Sequence, residues 1–183
     1  MVDDVGMSPD LSAARGKLLP DVLGPGLDVV FCGINPGLYS AATGHHFARP
    51  GNRFWPALHR GGFTPRVFAA AEQDELLGLG LGITNLVARA TARADELTAE
   101  ELRAGAVRLA EMAAEHRPEV VAVVGITAYR TAFGRKKAVV GAQEELLADA
   151  RLWVLPNPSG LNAHYQLPDL GDAFAELRES LGR

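Results

Sequence analysis

The sequence predicts an α/β fold, a three-layer α/β/α sandwich around a mainly parallel central sheet of four to five strands. Short apolar runs that suit buried strands alternate along the chain with segments of helical periodicity. Two of these runs end in Asn-Pro loops, at Asn35 and Asn157. Ligand sites of open α/β sheets lie outside the carboxyl ends of the strands, so we expect both loops to face one cleft.

The first half of the chain supplies two strands and two helices. Residues 27–32 form an apolar run that leads into Gly33-Ile34-Asn35-Pro36-Gly37, which is typical of a buried strand followed by a loop. Helices are predicted over 52–60, with Phe54, Trp55 and Leu58 on one side, and over 66–77. The second strand is predicted at 83–86.

The second half begins with the clearest helix of the chain. Thr98 and Glu101 have the spacing of a capping box, and the helix should end before Pro118. Residues 119–125 are apolar enough for a strand buried on both faces, as in a parallel sheet. A short helix over 126–133, a fourth core strand over 152–155 and a final helix capped by Asp169 complete the predicted fold.

Composition limits the function classes. With 183 residues the chain is long enough for one domain, which we place at 23–183 after a variable extension, 1–22. Cys32 is the single cysteine, and a buried hydrophobic role is expected for it. No apolar run is long enough for a membrane span and no signal-peptide pattern is present, so we expect a cytoplasmic protein.

Charge gives a weaker indication. The net charge of −4 argues against a general nucleic-acid binder but allows a local basic face. Without other support, a solvated surface is at least as good an explanation for the two clusters of basic residues, which are Arg49, Arg53, Arg60 and Arg66, and Arg130, Arg135, Lys136 and Lys137.

Several common sites are excluded by their motifs. The loop after the first strand lacks the lysine and hydroxyl of a phosphate-binding P-loop and the glycine spacing of a dinucleotide site. Ser159 is not in a nucleophile elbow. His45 and His46 are adjacent, which is poor spacing for shared metal ligation, so no metal site is expected.

Blocks of sequence resemble the mismatch-specific uracil-DNA glycosylases, the family that includes the vertebrate thymine-DNA glycosylases. Gly33 to Gly37, Gly44-His45-His46-Phe47 and Pro50-Gly51-Asn52-Arg53-Phe54-Trp55 look like the first motif of that family. Asn157-Pro158-Ser159-Gly160-Leu161 looks like its second motif, and the segment from Ile83 to Val87 with Arg89 also fits. The resemblance extends from about residue 23 to the final helix.

The resemblance implies a catalytic mechanism. Such an enzyme flips uracil out of a G·U mismatch and hydrolyses the N-glycosidic bond with a water, without a metal or cofactor. Asn35 matches the catalytic asparagine, and its neutral amide would position the water because it is a poor base. Backbone N–H groups near Ile34 and Phe47 would stabilise the charge that develops on the leaving base. As an isolated motif, Asn-Pro-Gly would indicate only a turn.

The resemblance also implies a base pocket. Phe47 matches the aromatic residue on which the flipped base stacks. Ser40 matches the position that faces C5 of the base, where serine favours uracil and predicts graded, weak action on thymine. The other implied pocket residues are Ile34, Gly37, His46, Asn85, Thr91 and Asn157. For His46, a loop histidine bonded to the backbone is an equally good explanation.

A wedge is implied for the loop Gly160-Leu161-Asn162. Leu161 would fill the gap left by the flipped nucleotide, and the loop would contact the widowed guanine. The common bacterial form of the family has Ser-Arg after the leucine, whereas this chain has Asn162-Ala163. The missing arginine bears on how strictly the opposite base is selected.

The resemblance implies a monomer that acts on double-stranded DNA with a mismatched or damaged base, at the nucleoid when it repairs DNA. Ethenocytosine is a further implied substrate. Two alternatives stay open: a non-catalytic DNA-binding module on the same fold, which would bind duplexes without releasing a base, and a small-molecule enzyme that would take free nucleotides or sugar phosphates.

Overall fold

The computed structural model describes residues 8–182 and contains a five-stranded sheet in the order β2-β1-β3-β5-β4. Neighbouring strands run parallel except β4, which pairs antiparallel with β5. Residues 1–7 of the predicted extension lie outside the described residues. The strands are β1 Val29–Gly33, β2 Leu81–Asn85, β3 Val120–Val124, β4 Gly141–Leu147 and β5 Ala150–Leu155.

Helices cover both faces of this sheet, which confirms the predicted three-layer α/β/α class. The α-helices are α1 Leu38–Thr43, α2 Phe54–Arg60, α3 Ala99–His116, α4 Ile126–Phe133 and α5 Leu167–Ser180. Three 3-10 helices lie at Ser12–Ala14, Ala70–Leu79 and Ala94–Glu96. Within the described residues, no helix is long and apolar enough to cross a membrane.

Each face of the sheet has its own apolar cluster. Phe31 on one face packs with α2 and α5, where its ring stacks on Phe174 at 5.8 Å between ring centroids. Val121 and Val123 of β3 point to the other face and pack with α3 and α4. Successive residues of a strand alternate between faces, so a strand that is apolar at every position supplies both clusters. Cys32 is fully buried, as expected.

The predicted helix cap at Thr98 is confirmed. The backbone N–H of Glu101 donates to Thr98 Oγ1 at 3.1 Å, and the Thr98 N–H donates to the Glu101 carboxylate at 3.2 Å. The helix ends at Arg117 in a left-handed conformation, φ 53°, immediately before Pro118. In α5 the cap is displaced: Gln166 precedes the helix, and Asp169 accepts from its N–H at 2.9 Å.

Some predicted elements were wrong in kind or were missed. The segment predicted as a helix over 66–77 is the 3-10 helix Ala70–Leu79, and Arg66 precedes it and pairs with Glu72. Strand β4 was missed because its residues are mostly exposed or half-buried and include Glu144 and Glu145, as at a sheet edge. Helix α1 was missed because six residues are too few for a periodic pattern.

The segment before β1 contacts the sheet. Val22 and Ile83 exchange two backbone hydrogen bonds, each 2.8 Å long, and Leu18 forms an isolated antiparallel bridge with Arg89. Leu19 and Val22 are buried. The domain boundary between residues 22 and 23 stays a prediction.

Candidate active site

A cavity of about 400 Å³ opens at the carboxyl edge of the sheet, where the loops after β1, β2 and β5 meet. Both Asn-Pro loops line this cavity, through Asn35 and Asn157, as the strand order predicts. Ten of the residues named from the sequence line it: Ile34, Asn35, Gly37, Ser40, His46, Phe47, Asn85, Thr91, Asn157 and Leu161. Gly160 and Asn162 belong to the same loop as Leu161 but do not line the cavity.

The amide of Asn35 is held in one orientation. Its Nδ2 donates to the carbonyl oxygen of Arg89 at 3.0 Å and to Oγ1 of Thr91 at 2.8 Å. A carbonyl oxygen only accepts, so the nitrogen must be on this side of the amide. Oδ1 has no hydrogen-bond partner within residues 8–182. Asn35 therefore offers the cavity an oriented acceptor.

Thr91 is the residue that completes this orientation. It is buried, and its hydroxyl donates to the Arg93 carbonyl at 2.7 Å. With its only proton used there, Oγ1 can only accept from Asn35. Thr91 lines the cavity, but its hydroxyl oxygen is used to hold the amide of Asn35.

Phe47 is held rigidly against the core. Its ring stacks on Phe54 at 4.0 Å between centroids, with an interplanar angle of 22°. The preceding residue is fixed by two bonds, since Trp55 Nε1 donates to the His46 carbonyl at 3.1 Å and the His46 N–H donates to Gln73 at 2.7 Å. Phe47 itself has φ 51°, which costs a non-glycine residue energy and requires support of this kind.

Two residues that line the cavity have a backbone N–H without a hydrogen-bond partner in the described residues. Ile34 and Phe47 both line it, and no acceptor in the described part of the chain pairs with either backbone N–H. Gly33 allows this close arrangement, because a Cβ there would lie 2.5 Å from Asn85 Oδ1 and 3.3 Å from Phe47 Cζ. The pair of N–H groups suits an anionic or carbonyl oxygen.

His46 is neutral and structurally engaged. Its Nε2 lies 2.8 Å from the Pro20 carbonyl oxygen, which fixes the proton on Nε2, and Nδ1 lies 3.4 Å from Nδ2 of Asn85. Burial lowers the pKa of His46, while the Pro20 bond and the nearby Asp21 carboxylate raise it less. The contacts of His46 are therefore those of a loop histidine bonded to the backbone, which was the alternative explanation, although His46 also lines the cavity.

Gly37 and Ser40 form the side of the cavity at α1. Gly37 is the residue before that helix, and Ser40 lies inside it and is buried. Ser40 Oγ accepts a hydrogen bond from the Ala48 N–H at 3.1 Å. The serine therefore helps to fix the segment that carries Phe47.

The loop after β5 contains several hydrogen bonds between its own residues. Asn157 Oδ1 accepts from the Ser159 N–H at 2.9 Å. Asn162 Nδ2 donates to the Asn157 carbonyl at 3.0 Å, while Asn162 Oδ1 accepts from the His164 N–H at 3.1 Å. Both polar atoms of the Asn162 side chain are therefore already bonded within the loop.

Leu161 is the exposed apolar tip of this loop, with 77% of its surface accessible. Gly160 beside it approaches Gly51 so closely that a Cβ would lie 2.8 Å from the Gly51 carbonyl oxygen. The loop therefore rests on the turn before α2 and presents Leu161 outward. An exposed leucine alone would need no explanation, but this one borders the cavity.

The sequence did not identify Arg53 as a functional residue, because the basic cluster to which it belongs is equally well explained as part of a solvated surface. Arg53 is half-buried and its guanidinium bonds to backbone carbonyls of the loop after β5. Its position in the Asn-Arg-Phe-Trp block was the feature of the sequence that could have identified it. Arg49 of the same cluster is exposed and lines the cavity.

No group of three or more potential metal ligands occurs within residues 8–182. The acceptor of Asn35, the two N–H donors and the ring of Phe47 can together hold a planar polar ring and a water. That arrangement suits hydrolysis of a bond to such a ring.

Comparison with known proteins gives the family of the chain and a similar fold. The family model described as the uracil DNA glycosylase superfamily matches residues 20–182. The fold is similar to the solution NMR structure of a candidate uracil DNA glycosylase from Methanosarcina acetivorans, at a TM-score of 0.61 and 19% identity. That similarity covers 93% of this chain and 99% of the other.

Proposed function

Because this chain belongs to the uracil DNA glycosylase superfamily, whose members hydrolyse N-glycosidic bonds, we propose that it removes uracil from G·U mismatches in double-stranded DNA. The reaction is monofunctional: a water oxygen bonds to C1′ of the deoxyribose, and the N-glycosidic electrons leave with the base. The base takes up a proton, and an abasic site remains for base excision repair. The monomeric domain of residues 23–183 does this on DNA in the cytoplasm.

The orientation of the Asn35 amide is the observation that carries the proposal. Its Nδ2 is committed to Arg89 and Thr91, so Oδ1 is the atom available to accept a hydrogen bond from the attacking water. An amide oxygen is a weak base, and its contribution is to aim the water at C1′. The carbon must therefore become electrophilic through departure of the base, which makes leaving-group stabilisation decisive.

The leaving base is stabilised by backbone donors and an aromatic face. Negative charge develops on uracil as the bond breaks, and the unpaired N–H groups of Ile34 and Phe47 are the donors for it. Losing one donor of this kind costs about 2.7–4 kcal/mol in other enzymes. The flipped base stacks on Phe47, whose ring is held by Phe54.

Extrusion of the base depends on the loop after β5. Leu161 is exposed at the rim of the cavity and enters the stack where the nucleotide leaves. Asn157 contacts the base or the adjacent backbone, while Asn85 and His46 line the inner wall of the pocket. A mismatched pair costs less to open than a Watson–Crick pair, which favours G·U over A·U.

Partner-base selection rests on backbone groups of the wedge loop. The Asn162 side chain is engaged within the loop, the Leu161 N–H donates to Ser159 Oγ and Ala163 has no polar side chain, so the backbone carbonyls of Gly160 and Leu161 supply the contacts to the widowed guanine. We expect the same pocket to accept ethenocytosine, and thymine more slowly because of the side chain of Ser40.

The test is cleavage of a labelled duplex with one G·U pair, treated with alkali after incubation to reveal abasic sites. The wild type should produce an alkali-labile strand, and Asn35→Ala should not, although both bind the duplex. Binding without cleavage by the wild type would indicate a non-catalytic DNA-binding module instead. Cleavage of free deoxyuridine without cleavage of the duplex would indicate a small-molecule enzyme.

A further inference from the structure

Arg53 joins the turn before α2 to the loop that carries Leu161. Its guanidinium donates to three backbone carbonyls of that loop: Nη2 to Ser159 at 2.6 Å and to Asn162 at 3.1 Å, and Nη1 to Tyr165. The backbone N–H of Arg53 also donates to the Pro158 carbonyl at 2.9 Å. One residue thus bonds to four positions spread over eight residues of the loop.

The chemistry of this contact requires arginine. A planar guanidinium can direct donors to several carbonyls at fixed angles, whereas a lysine ammonium is a compact charge on a flexible stem. Arg53 forms no ion pair with a described carboxylate, and its buried Nε has no partner in the described chain. The loop carbonyls are therefore the partners that compensate the half-buried charge.

The bonded carbonyls lie on both sides of the exposed leucine. Ser159 precedes Leu161 by two residues and Asn162 follows it by one, so the guanidinium closes the base of the turn whose tip is Leu161. Close contact between Gly160 and Gly51 supports the same turn at a second point. Asn35 is held by Arg89 and Thr91, and not by Arg53.

We propose that Arg53 is a positioning residue that holds the Leu161 loop in the conformation needed for base extrusion from a duplex. This inference rests on the proposed function, and it assigns Arg53 no contact with the reacting atoms. Its role is therefore needed where a base pair must be opened and is nearly dispensable where the uracil is already unpaired.

The test compares Arg53→Met and Arg53→Lys with wild type on two labelled duplexes under single-turnover conditions. One duplex has uracil opposite guanine, and the other has uracil opposite a tetrahydrofuran abasic analogue. Arg60→Met is the matched control, because Arg60 lies at the other end of α2 and is exposed. Thermal melting by circular dichroism reports whether each variant is folded.

We expect Arg53→Met to slow excision from the G·U duplex by about 10- to 100-fold, since hydrogen bonds to a charged donor are lost. Excision of the unpaired uracil should change by only a few-fold, and Arg53→Lys should lie between Arg53→Met and wild type. Equal losses on both duplexes, no loss on either, or failure of both variants to fold would overturn the proposal.

Hydrogen exchange separates this proposal from the proposed function. Amides of residues 157–164 should exchange faster in Arg53→Met than in wild type, because the turn bonds at Ser159, Asn162 and His164 are loosened. Amides of α3 serve as the internal reference and should not change. An unchanged loop would overturn the role of Arg53. This measurement tests the role of Arg53 even if the wild type cleaves no G·U duplex. Absence of cleavage would overturn only the proposed function.

Discussion

The two Asn-Pro loops follow β1 and β5, which lie on either side of β3, and the loops are held in different ways. The loop after β1 is anchored by a side chain that reaches out of it, since Asn35 donates to Arg89 and to Thr91. The loop after β5 is held by bonds between its own residues, such as Ser159 with Asn157, and by carbonyl oxygens that accept from Arg53. In the first loop one polar acceptor is left over, and in the second the exposed tip is the apolar Leu161.

This difference separates two tasks. A fixed polar atom in a cavity can aim a water but cannot push a base out of its stack. An exposed apolar side chain can replace a base in the stack but has no role in bond cleavage. Changes at the first loop should therefore slow excision equally for paired and unpaired uracil, whereas changes at the second should matter more when the base is paired.

Asn35→Ala is the largest expected effect. Removing the amide leaves the water without its oriented acceptor, and we expect a loss of about 100-fold or more in the single-turnover rate. The loss should be the same for uracil opposite guanine and uracil opposite an abasic analogue. Duplex affinity, measured by fluorescence anisotropy, should stay near that of wild type, and a large drop in affinity would contradict the assignment.

Thr91→Val tests the support beneath Asn35. Valine keeps the shape of threonine but cannot accept from Nδ2, so the amide retains only its bond to Arg89. We expect about a 10-fold slower rate because the acceptor is less well aimed. Thr91→Ser keeps the hydroxyl and should restore most of the rate. If Thr91→Ser is as slow as Thr91→Val, keeping the hydroxyl does not keep the rate, and this result would contradict the role of the hydroxyl in orienting Asn35.

Leu161→Ala tests the second loop. Loss of the wedge should slow excision from a G·U duplex about 10-fold, in line with an unstacking cost of a few kcal/mol that the leucine offsets in part. For uracil opposite the abasic analogue the loss should be smaller. Leu146→Ala is the matched control, since Leu146 is also exposed, at 62%, and lies on the edge strand β4. A loss independent of pairing would remove the distinction between the two loops.

The sequence predicted the buried parts of the fold better than its edges. Strand β3 and helix α4 were found within a residue at each end, because a continuous apolar run or helical periodicity marks them. Strand β4 has three of its seven residues exposed, and its pairing with β5 contains an irregularity between Ala142 and Leu146. Such a strand is defined by its neighbour, and no local pattern identifies it.

The sequence predicted which residues lie together at the cavity, but it did not predict how they are bonded to each other. Motif resemblance named Asn35, Thr91 and Leu161, and all three border one cavity. It did not indicate that Thr91 holds Asn35, since that bond joins residues 56 positions apart in sequence. The resemblance also did not distinguish Arg53 from its basic neighbours. The role of this arginine comes from three backbone carbonyls of a loop that is distant in sequence. Because every residue has a backbone carbonyl, such partners cannot be recognised from the sequence.

Ser40→Ala is the smallest expected change and tests specificity at α1, the helix that follows the first loop. The wild type should excise thymine from G·T more slowly than uracil from G·U, since one methyl group is worth about 1–3 kcal/mol to a pocket. Ser40 also accepts from the Ala48 N–H, so alanine loosens the segment of Phe47 and should slow uracil excision somewhat. Thymine gains space from the same change. The ratio of the G·U rate to the G·T rate is therefore the quantity to measure, and it should fall in Ser40→Ala. Equal wild-type rates on the two duplexes, or an unchanged ratio in the variant, would show that Ser40 does not face the C5 position of the base.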